Sequence, residues 1–268
     1  MSALPVPAAT VLLLRDAAPS LEVLLLRRSA RSDWLPDLYV FPGGRVEDGD
    51  YELAGRIADL EPGAISARVP ELSPTQAVGY CVAAIRETFE EAGILLARKR
   101  GSRDFVAGDL LRDLVAERLA CQSGDTSFAD LVEAHDLELC GGALAIHARW
   151  ITPERVPQRF DTLFFTAIAP AGQRAAPDGE ESTHHVWIRP ADALAEASRG
   201  ERQIIFPTLC NLESVCELAS ANEVLAASRA RRVVPVMPRI VADASGRKLV
   251  IPTDAGYRTS EAPIPGAG

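Results

Sequence analysis

The stretch Arg86-Glu87-Thr88-Phe89-Glu90-Glu91-Ala92-Gly93-Ile94 decides the fold, because it combines a helix end with a dense group of acids. Upstream, Ser73 can cap a helix whose first residue is a proline, and Gln76 completes a capping box. Gly93 suits the left-handed position that ends many helices. The sequence therefore predicts a helix over residues 74–92.

Two opposite faces of this helix differ in chemistry. An apolar stripe that should face the core is formed by Val78, Val82, Ile85 and Phe89. Glu87, Glu90 and Glu91 share an arc of roughly 100° on the other side. Like charges at this spacing repel by about 0.2–0.5 kcal/mol per pair, and anions in a last turn oppose the helix dipole. Arg86 can neutralise one of them. Divalent cations would compensate the rest, and the plain alternative is a solvated acidic face.

A glycine turn precedes this helix in the sequence. Leu38-Tyr39-Val40-Phe41 forms a short predicted strand, which must stop at Pro42-Gly43-Gly44 because proline lacks a donor and glycine permits unusual backbone angles. We expect a sharp loop there. Asp50 follows Gly44 after five intervening residues.

Together these two stretches closely resemble the Nudix box, whose pattern is G-x5-E-x7-R-E-U-x-E-E-x-G-U. Arg86, Glu87, Glu90, Glu91 and the residues after them match its second half, and Gly44-x5 followed by an aspartate matches its first half. Thirty-five residues, Tyr51 through Ile85, separate the halves where the family has seven. Because loop closure costs only about 0.6 kcal/mol per doubling of length, a split box can still assemble.

Further sequence segments resemble those of a branch of that family that has a split box, the coenzyme A diphosphatases of the Nudix hydrolase 19 type. They are Phe41-Pro42-Gly43-Gly44, Trp150-Ile151-Thr152-Pro153, Arg159 to Phe165, Val186 to Pro190 and Phe206-Pro207-Thr208. A coenzyme A signature that some relatives carry before the glycines is only partly echoed by Leu25 to Arg31.

The resemblance implies roles for individual residues. Metal ligands would be Glu87, Glu90, Glu91 and the Gly44 carbonyl, with Mg²⁺ or Mn²⁺ as the cofactor. Catalytic roles fall to Glu87, Glu90, Arg86 and Glu181. Arg86 would orient the glutamates, and Glu87, Glu180 and Glu181 compete for the role of general base. Substrate binding would involve Arg27, Arg28, Arg31, Gly43, Gly44 and Arg45, although the arginines could equally be a solvated strand end.

Composition limits the function classes. The net charge of −9 argues against binding of a nucleic-acid duplex. No signal peptide or apolar membrane segment is apparent, so we expect a cytoplasmic protein without a membrane partner. Five scattered cysteines suggest neither disulfides nor a zinc site. The expected partner is a small-molecule diphosphate, and a homodimer is left open.

Hydrophobic patterns predict the remaining elements. Predicted strands are Ala8–Leu14, Leu21–Leu26, Leu139–Trp150, Thr162–Ala169 and Val186–Ile188, and a closing hairpin pairs Val233–Val241 with Lys248–Pro252. Predicted helices are Asp109–Cys121, Phe128–His135, Pro190–Ala197 and Thr208–Ala227.

From the resemblance, the fold class is α/β: a Nudix-type α/β/α sandwich with a mixed sheet. We expect one domain over residues 1–258, with residues 51–72 as an insertion in the box and residues 200–258 as a helical C-terminal extension that caps the site. Residues 259–268 should form a flexible tail. The expected function is metal-dependent cleavage of a phosphoanhydride in coenzyme A or acyl-CoA. ADP-ribose, NADH or an oxidised nucleotide are alternative substrates, and a noncatalytic nucleotide sensor is a further alternative.

Overall fold

The computed structural model describes residues 3–18, 20–29, 37–154, 156–177, 179, 182–243 and 246–264. The first half contains β1 (Val6–Ala17), β2 (Ser20–Arg28), β3 (Tyr39–Val40), β4 (Gly43–Arg45), α1 (Asp48–Glu52), β5 (Ile57–Ala58), α2 (Pro62–Arg68), α3 (Pro74–Ala92), β6 (Ala97–Lys99), α4 (Gly108–Ser123) and α5 (Phe128–Ala134). The second half contains β7 (Leu137–Cys140), β8 (Ala145–Ile151), β9 (Phe160–Ile168), β10 (Ser182–Ile188), α6 (Pro190–Ser198), α7 (Phe206–Val215), α8 (Ala221–Ala230), β11 (Pro235–Val236), β12 (Arg239–Asp243), β13 (Gly246–Val250) and β14 (Glu261–Pro263).

A mixed sheet forms the middle layer of the molecule. Its strand order is β10-β2-β1-β9-β8-β11, with β1 parallel to β9 and antiparallel to β2. Alternate residues of β1 face opposite sides: Val11 and Leu13 join the core that contains α3, whereas Leu12 and Leu14 join the core that contains α7 and α8. The predicted α/β/α sandwich with a mixed sheet is confirmed.

The glycine turn lies inside this sheet because β1 and β2 separate. They pair directly only near their connecting turn, from Leu14 and Val23 onward. Farther from the turn, β3 pairs with β2 and β4 pairs with β1, so the segment from Tyr39 to Arg45 fills the gap. The Val11 amide also donates to the Pro42 carbonyl over 2.9 Å. The sheet thus fixes the turn on both sides.

Helix α3 has the predicted start, end and orientation. Ser73 accepts a hydrogen bond from the Gln76 amide, the Gln76 side chain caps in return, and Gly93 ends the helix at φ 69°. The four residues of the apolar stripe all lie in one buried core with β1 and β2. This packing directs the glutamate face toward the glycine turn.

The segment inserted between the two halves of the box is folded. It forms the end of α1, a 3-10 turn, β5 and α2, and α1 and α2 both pack on α3. The Arg68 guanidinium donates to the Ser228 and Arg231 carbonyls at 2.8 and 2.6 Å. Part of the insertion therefore connects α3 to the C-terminal residues.

Two predicted elements are each divided in the structure. Leu139–Trp150 is not one strand, because Gly141 and Gly142 pack against the inserted segment and the chain changes sheets there, giving β7 and β8. Thr208–Ala227 is two helices, since Ser220 accepts from the Glu223 amide and starts α8 anew. Within the range expected as a tail, residues 261–263 form β14, which pairs with β13.

Two further observations concern the cysteines and the lengths of the helices. All five cysteines are free thiols, and three of them are buried. Within the described ranges, no helix combines the length and apolar character needed to cross a bilayer.

A buried histidine joins the sheet to the C-terminal helices. His147 of β8 is 3% exposed, and its Nδ1 and Nε2 atoms hydrogen-bond the hydroxyls of Ser228 and Ser214 at 2.9 and 2.8 Å. Burial, then the charges of Arg231 and Arg68, lower the pKa of His147 from 6.5 to about 3. The folded protein therefore holds this imidazole neutral.

This histidine should make stability depend on pH. Because the unfolded chain binds a proton where the folded chain does not, stability is retained above pH 6.5 and is lost as the pH falls toward 3, by up to about 1.4 kcal/mol per unit. We expect His147→Gln to reduce this slope in urea unfolding measured between about pH 7 and about pH 5. The exposed His184→Gln is the control. Equal slopes in wild type and His147→Gln would contradict the prediction.

Candidate active site

The glycine turn meets the acidic face of α3 directly. The Gly43 amide donates to Glu91 Oε2 over 2.9 Å. A Cβ atom added at Gly44 would lie 2.3 Å from Glu87 Oε1, so a larger residue there would displace that carboxylate. The insertion therefore does not separate the two halves of the box in space.

Arg86 is the centre of the site. Its Nε and Nη2 atoms donate to the two oxygens of Asp50 at 2.8 and 3.1 Å, and Nη2 also donates to the Arg45 carbonyl at 2.8 Å. Its Nη1 atom donates to Glu87 and Glu90 at 2.8 and 2.9 Å. One guanidinium thus joins the glycine turn, the residue before the insertion and the helix.

Asp50 takes the place of the glutamate usual in the box and is 1% exposed. Besides its two bonds to Arg86, its Oδ2 atom accepts from the Glu47 amide at 2.8 Å. Because Asp50 lies in α1, the shorter side chain is delivered to the guanidinium by a helical turn. The aspartate therefore holds Arg86 in place.

The cluster carries more negative than positive charge. Four carboxylates, those of Asp50, Glu87, Glu90 and Glu91, surround the single charge of Arg86, which leaves a formal −3 for these five side chains. Burial raises the pKa of Glu87 to about 7, against the effect of Arg86 and reinforced by Glu90. Burial likewise raises the pKa of Glu90. The site is therefore short of positive charge.

This chemistry fits a hard divalent cation. Carboxylate and carbonyl oxygens are the ligands that Mg²⁺ and Mn²⁺ prefer, and the glutamates and Gly44 provide them on two facing elements. Across the residues that the structure describes, no three acidic, histidine or cysteine side chains already converge as a complete cage. Two of the glutamates instead share Arg86 Nη1.

A cavity of about 1250 Å³ adjoins the turn on the side of the sheet away from α3. Gly43 and Thr10 line it at the point where β1 and β2 separate. The loop before α7 and strands β13 and β14 supply the opposite wall. The C-terminal extension thus encloses a cavity that shares Gly43 with the acidic cluster.

A comparison with known protein families shows to which family the chain belongs. The family profile described as NUDT19 Nudix domain matches residues 66–215, more than half of the chain. The chain belongs to the Nudix hydrolase family.

Curated relatives share that family. The chain is 30% identical over 234 residues to the acyl-coenzyme A diphosphatase NUDT19 of Xenopus laevis, covering 75% of this chain and 61% of that protein. It is 27% identical over 280 residues to the human protein of the same name, covering 90% of this chain and 73% of that one. The chain spans about three fifths of the length of the Xenopus and Gallus relatives.

A solved structure supports the fold. The NUDIX hydrolase from Alicyclobacillus acidocaldarius superposes with a TM-score of 0.69 at 28% identity, covering 83% of this chain and 96% of that one. The Nudix likeness therefore extends well beyond the box.

The arginines predicted to bind substrate do not all lie at the cavity. Arg28 lines the cavity, together with Gly43. Arg27 is exposed and pairs with Asp37 at 3.1 Å. Arg45 is exposed, with its guanidinium 5.9 Å from the centre of the Phe160 ring. Arg31 lies outside the described residues.

Two predicted general-base candidates, Glu180 and Glu181, also lie outside the described residues. Of the aromatic pair on β9, Phe165 is in the α3 core and Phe164 lines the cavity. Arg202 lines the same cavity, and sequence reasoning missed it because it stands in an unpatterned loop, Gly200-Glu201-Arg202-Gln203.

The contact at Gly43 can be tested through stability. A Cβ atom there would lie 2.3 Å from the Ala9 carbonyl oxygen and 2.7 Å from Thr10 Cα, so backbone must move. We expect Gly43→Ala to lower the free energy of unfolding in urea by about 1–3 kcal/mol. Gly49→Ala is the matched control, because its Cβ meets nothing within 4 Å in helix α1, and it should gain about 0.5–1 kcal/mol. Equal losses in both variants would exclude close packing at the turn.

Proposed function

We propose that this Nudix protein is a metal-dependent diphosphatase that hydrolyses the phosphoanhydride of coenzyme A or acyl-CoA, giving 3′,5′-ADP and 4′-phosphopantetheine or its acyl form. The observation that carries the proposal is the contact of the glycine turn with Glu87 and Glu91 across the insertion. That contact brings the Gly43 amide and two carboxylates together, which supports a site for a diphosphate and its metal ion.

In this proposal Glu87, Glu90 and Glu91, with the Gly44 carbonyl, hold Mg²⁺ or Mn²⁺. The ion would neutralise diphosphate charge and make water a competent nucleophile at neutral pH. Arg86 acts as a positioning residue, since it is 7% exposed and donates hydrogen bonds to Asp50, Glu87, Glu90 and the Arg45 carbonyl. Its Nη1 atom holds the Glu87 and Glu90 carboxylates beside each other, and its Nη2 atom connects them to the turn through the Arg45 carbonyl.

The reaction requires a proton acceptor. A water oxygen bonds to phosphorus, the bridging P–O bond breaks, and the bridging oxygen leaves with the other phosphate. A carboxylate takes the proton from the water. Glu87, Glu180 and Glu181 are the proposed candidates, and Glu87 lies in the described cluster beside Gly44.

Two observations favour coenzyme A derivatives as substrates. The relatives from Xenopus laevis, Gallus gallus and Homo sapiens are named acyl-coenzyme A diphosphatases. The cavity beside Gly43 is bordered mainly by apolar surface, which suits a substrate whose non-nucleotide half is long and weakly polar.

The acidic cluster should be essential for catalysis. We expect Glu90→Gln to lower kcat/KM by at least about 100-fold, because even residues that only support a metal ligand typically contribute 10–100-fold. Mn²⁺ should raise the Tm of the wild type and fail to raise that of the variant. Glu133→Gln, on the exposed side of α5, is the control. Full activity of the Glu90→Gln variant would contradict the proposed metal site.

A substrate panel tests the specificity. With Mg²⁺ or Mn²⁺, we expect kcat/KM for coenzyme A and acyl-CoA to exceed that for ADP-ribose, NADH and an oxidised nucleotide by about 10-fold or more. A faster reaction with another compound would reject coenzyme A as the preferred substrate, but it would still agree with a hydrolase. Tight binding of a nucleotide with no hydrolysis of any compound would indicate a sensor.

A further inference from the structure

Strand β12 is an open edge of the small sheet that β12, β13 and β14 form. The strand order is β12-β13-β14, so within the part of the chain that the structure describes β12 has a neighbouring strand on one side only. The other edge strand, β14, is three residues long and contains Pro263, and both features limit further pairing. β12 is five residues long and contains no proline. Its free edge can therefore accept another strand.

Apolar side chains are exposed on and next to this strand. Ile240 and Val241 are 36% and 40% exposed, and Met237, two residues before the strand, is 36% exposed. An exposed edge strand with apolar residues is a site for pairing with another chain. A lipid surface fits less well, because it would leave the amide and carbonyl groups of the open edge without partners. These residues therefore indicate a protein partner.

Hydrogen bonds on the far side of β13 show how the backbone groups of that strand alternate. The Ile264 amide donates to the Arg247 carbonyl, and the Ile251 amide donates to the Ser260 carbonyl, both over 2.9 Å. Residues 247 and 251 thus direct their backbone groups toward β14. Because successive residues of an antiparallel strand direct these groups to opposite sides, the even-numbered residues of β13 direct theirs toward β12.

The same alternation identifies the free backbone groups of β12. Val241 is the register partner of Lys248, an even-numbered residue of β13. The amide and carbonyl of Val241 therefore point toward β13. Those of its two neighbours, Ile240 and Ala242, point to the open edge.

We propose that β12 pairs with β12 of a second copy of this chain, antiparallel and centred on Val241, so that the two small sheets become one continuous sheet. About a two-fold axis at Val241, Ile240 of each copy lies opposite Ala242 of the other. These are the residues whose amide and carbonyl groups face the open edge. Each of the two pairs can therefore exchange both of its N–H···O bonds.

The charges of β12 favour the same register. The strand begins with Arg239 and ends with Asp243. Centred on Val241, the pairing sets Arg239 of each copy opposite Asp243 of the other, and opposite charges at directly opposed positions stabilise a pair of strands. A centre one residue earlier would set Ala242 opposite Pro238, which has no amide to donate. Both the charges and the hydrogen bonds thus select the centre at Val241.

A cysteine at the proposed two-fold axis tests the pairing. Val241 would face its own counterpart in a pair without direct hydrogen bonds, where Cα atoms are about 4.5 Å apart. A disulfide can bridge that distance. We expect oxidation of the Val241→Cys protein to give a covalent dimer. Arg239→Cys is the matched control on the same strand, because its two copies would be offset by about 14 Å along the strands.

Wild type under the same oxidation controls for the five native cysteines, all of which are free thiols. Non-reducing electrophoresis measures the yield of covalent dimer. The proposal predicts a higher yield for Val241→Cys than for both controls. A yield no higher than that of wild type and of Arg239→Cys would overturn the proposed register.

An exchange of the two charges gives an independent test by sedimentation equilibrium. Arg239→Asp sets like charges opposite each other in the dimer and should raise its Kd about 3–30-fold, and Asp243→Arg should do the same. The double variant restores opposite charges, so its Kd should return to within about 3-fold of the wild-type value. Urea unfolding establishes that each variant folds.

Two results of this second test would reject the pairing. One is a wild type that stays monomeric at its highest soluble concentration, and the other is a double variant that dimerises as weakly as the single variants. Neither experiment uses a substrate. The dimer can therefore fail while the proposed diphosphatase function stands, and the function can fail while the dimer stands.

Discussion

Arg86 and Asp50 form the interaction on which the split box depends. Their paired hydrogen bonds, both inside the protein, connect α3 to the last residue before the insertion. The same guanidinium contacts the turn through the Arg45 carbonyl and the acidic face through Glu87 and Glu90. Removal of one partner from a buried ion pair leaves an uncompensated charge. Separating the two halves of the box would therefore require a large free energy.

The sequence predicts those parts of the molecule that local chemistry determines. Helix α3 could be predicted residue by residue, because Ser73, Gln76 and Gly93 mark its ends and the apolar stripe sets its orientation. The closeness of Gly43 and Gly44 to the glutamates followed from the box pattern, not from spacing along the chain. The insertion itself could not be assigned, since α1 and α2 are short and depend on packing against α3.

Long-range pairing explains what the sequence could not predict. No local pattern shows that β1 and β2 separate to admit the glycine turn, because each strand alone is a continuous apolar run. Nor does any pattern bring Arg202 to Tyr39, since their contact joins a loop to a short strand in the middle of the sheet. Both features follow from tertiary packing, and both determine the shape of the cavity.

The separation of β1 and β2 has a consequence for how chemistry and recognition are divided. Acidic side chains reach the turn from the α3 side of the sheet, and the cavity reaches it from the side of the C-terminal extension. The sheet keeps these two regions apart everywhere except at the turn. Changes in the extension can therefore alter the shape of the cavity without moving the glutamates, because Gly43 is fixed by its own backbone pairing with β1. Under the proposed function, this geometry would let one reaction centre serve substrates that differ only in the chain beyond the diphosphate.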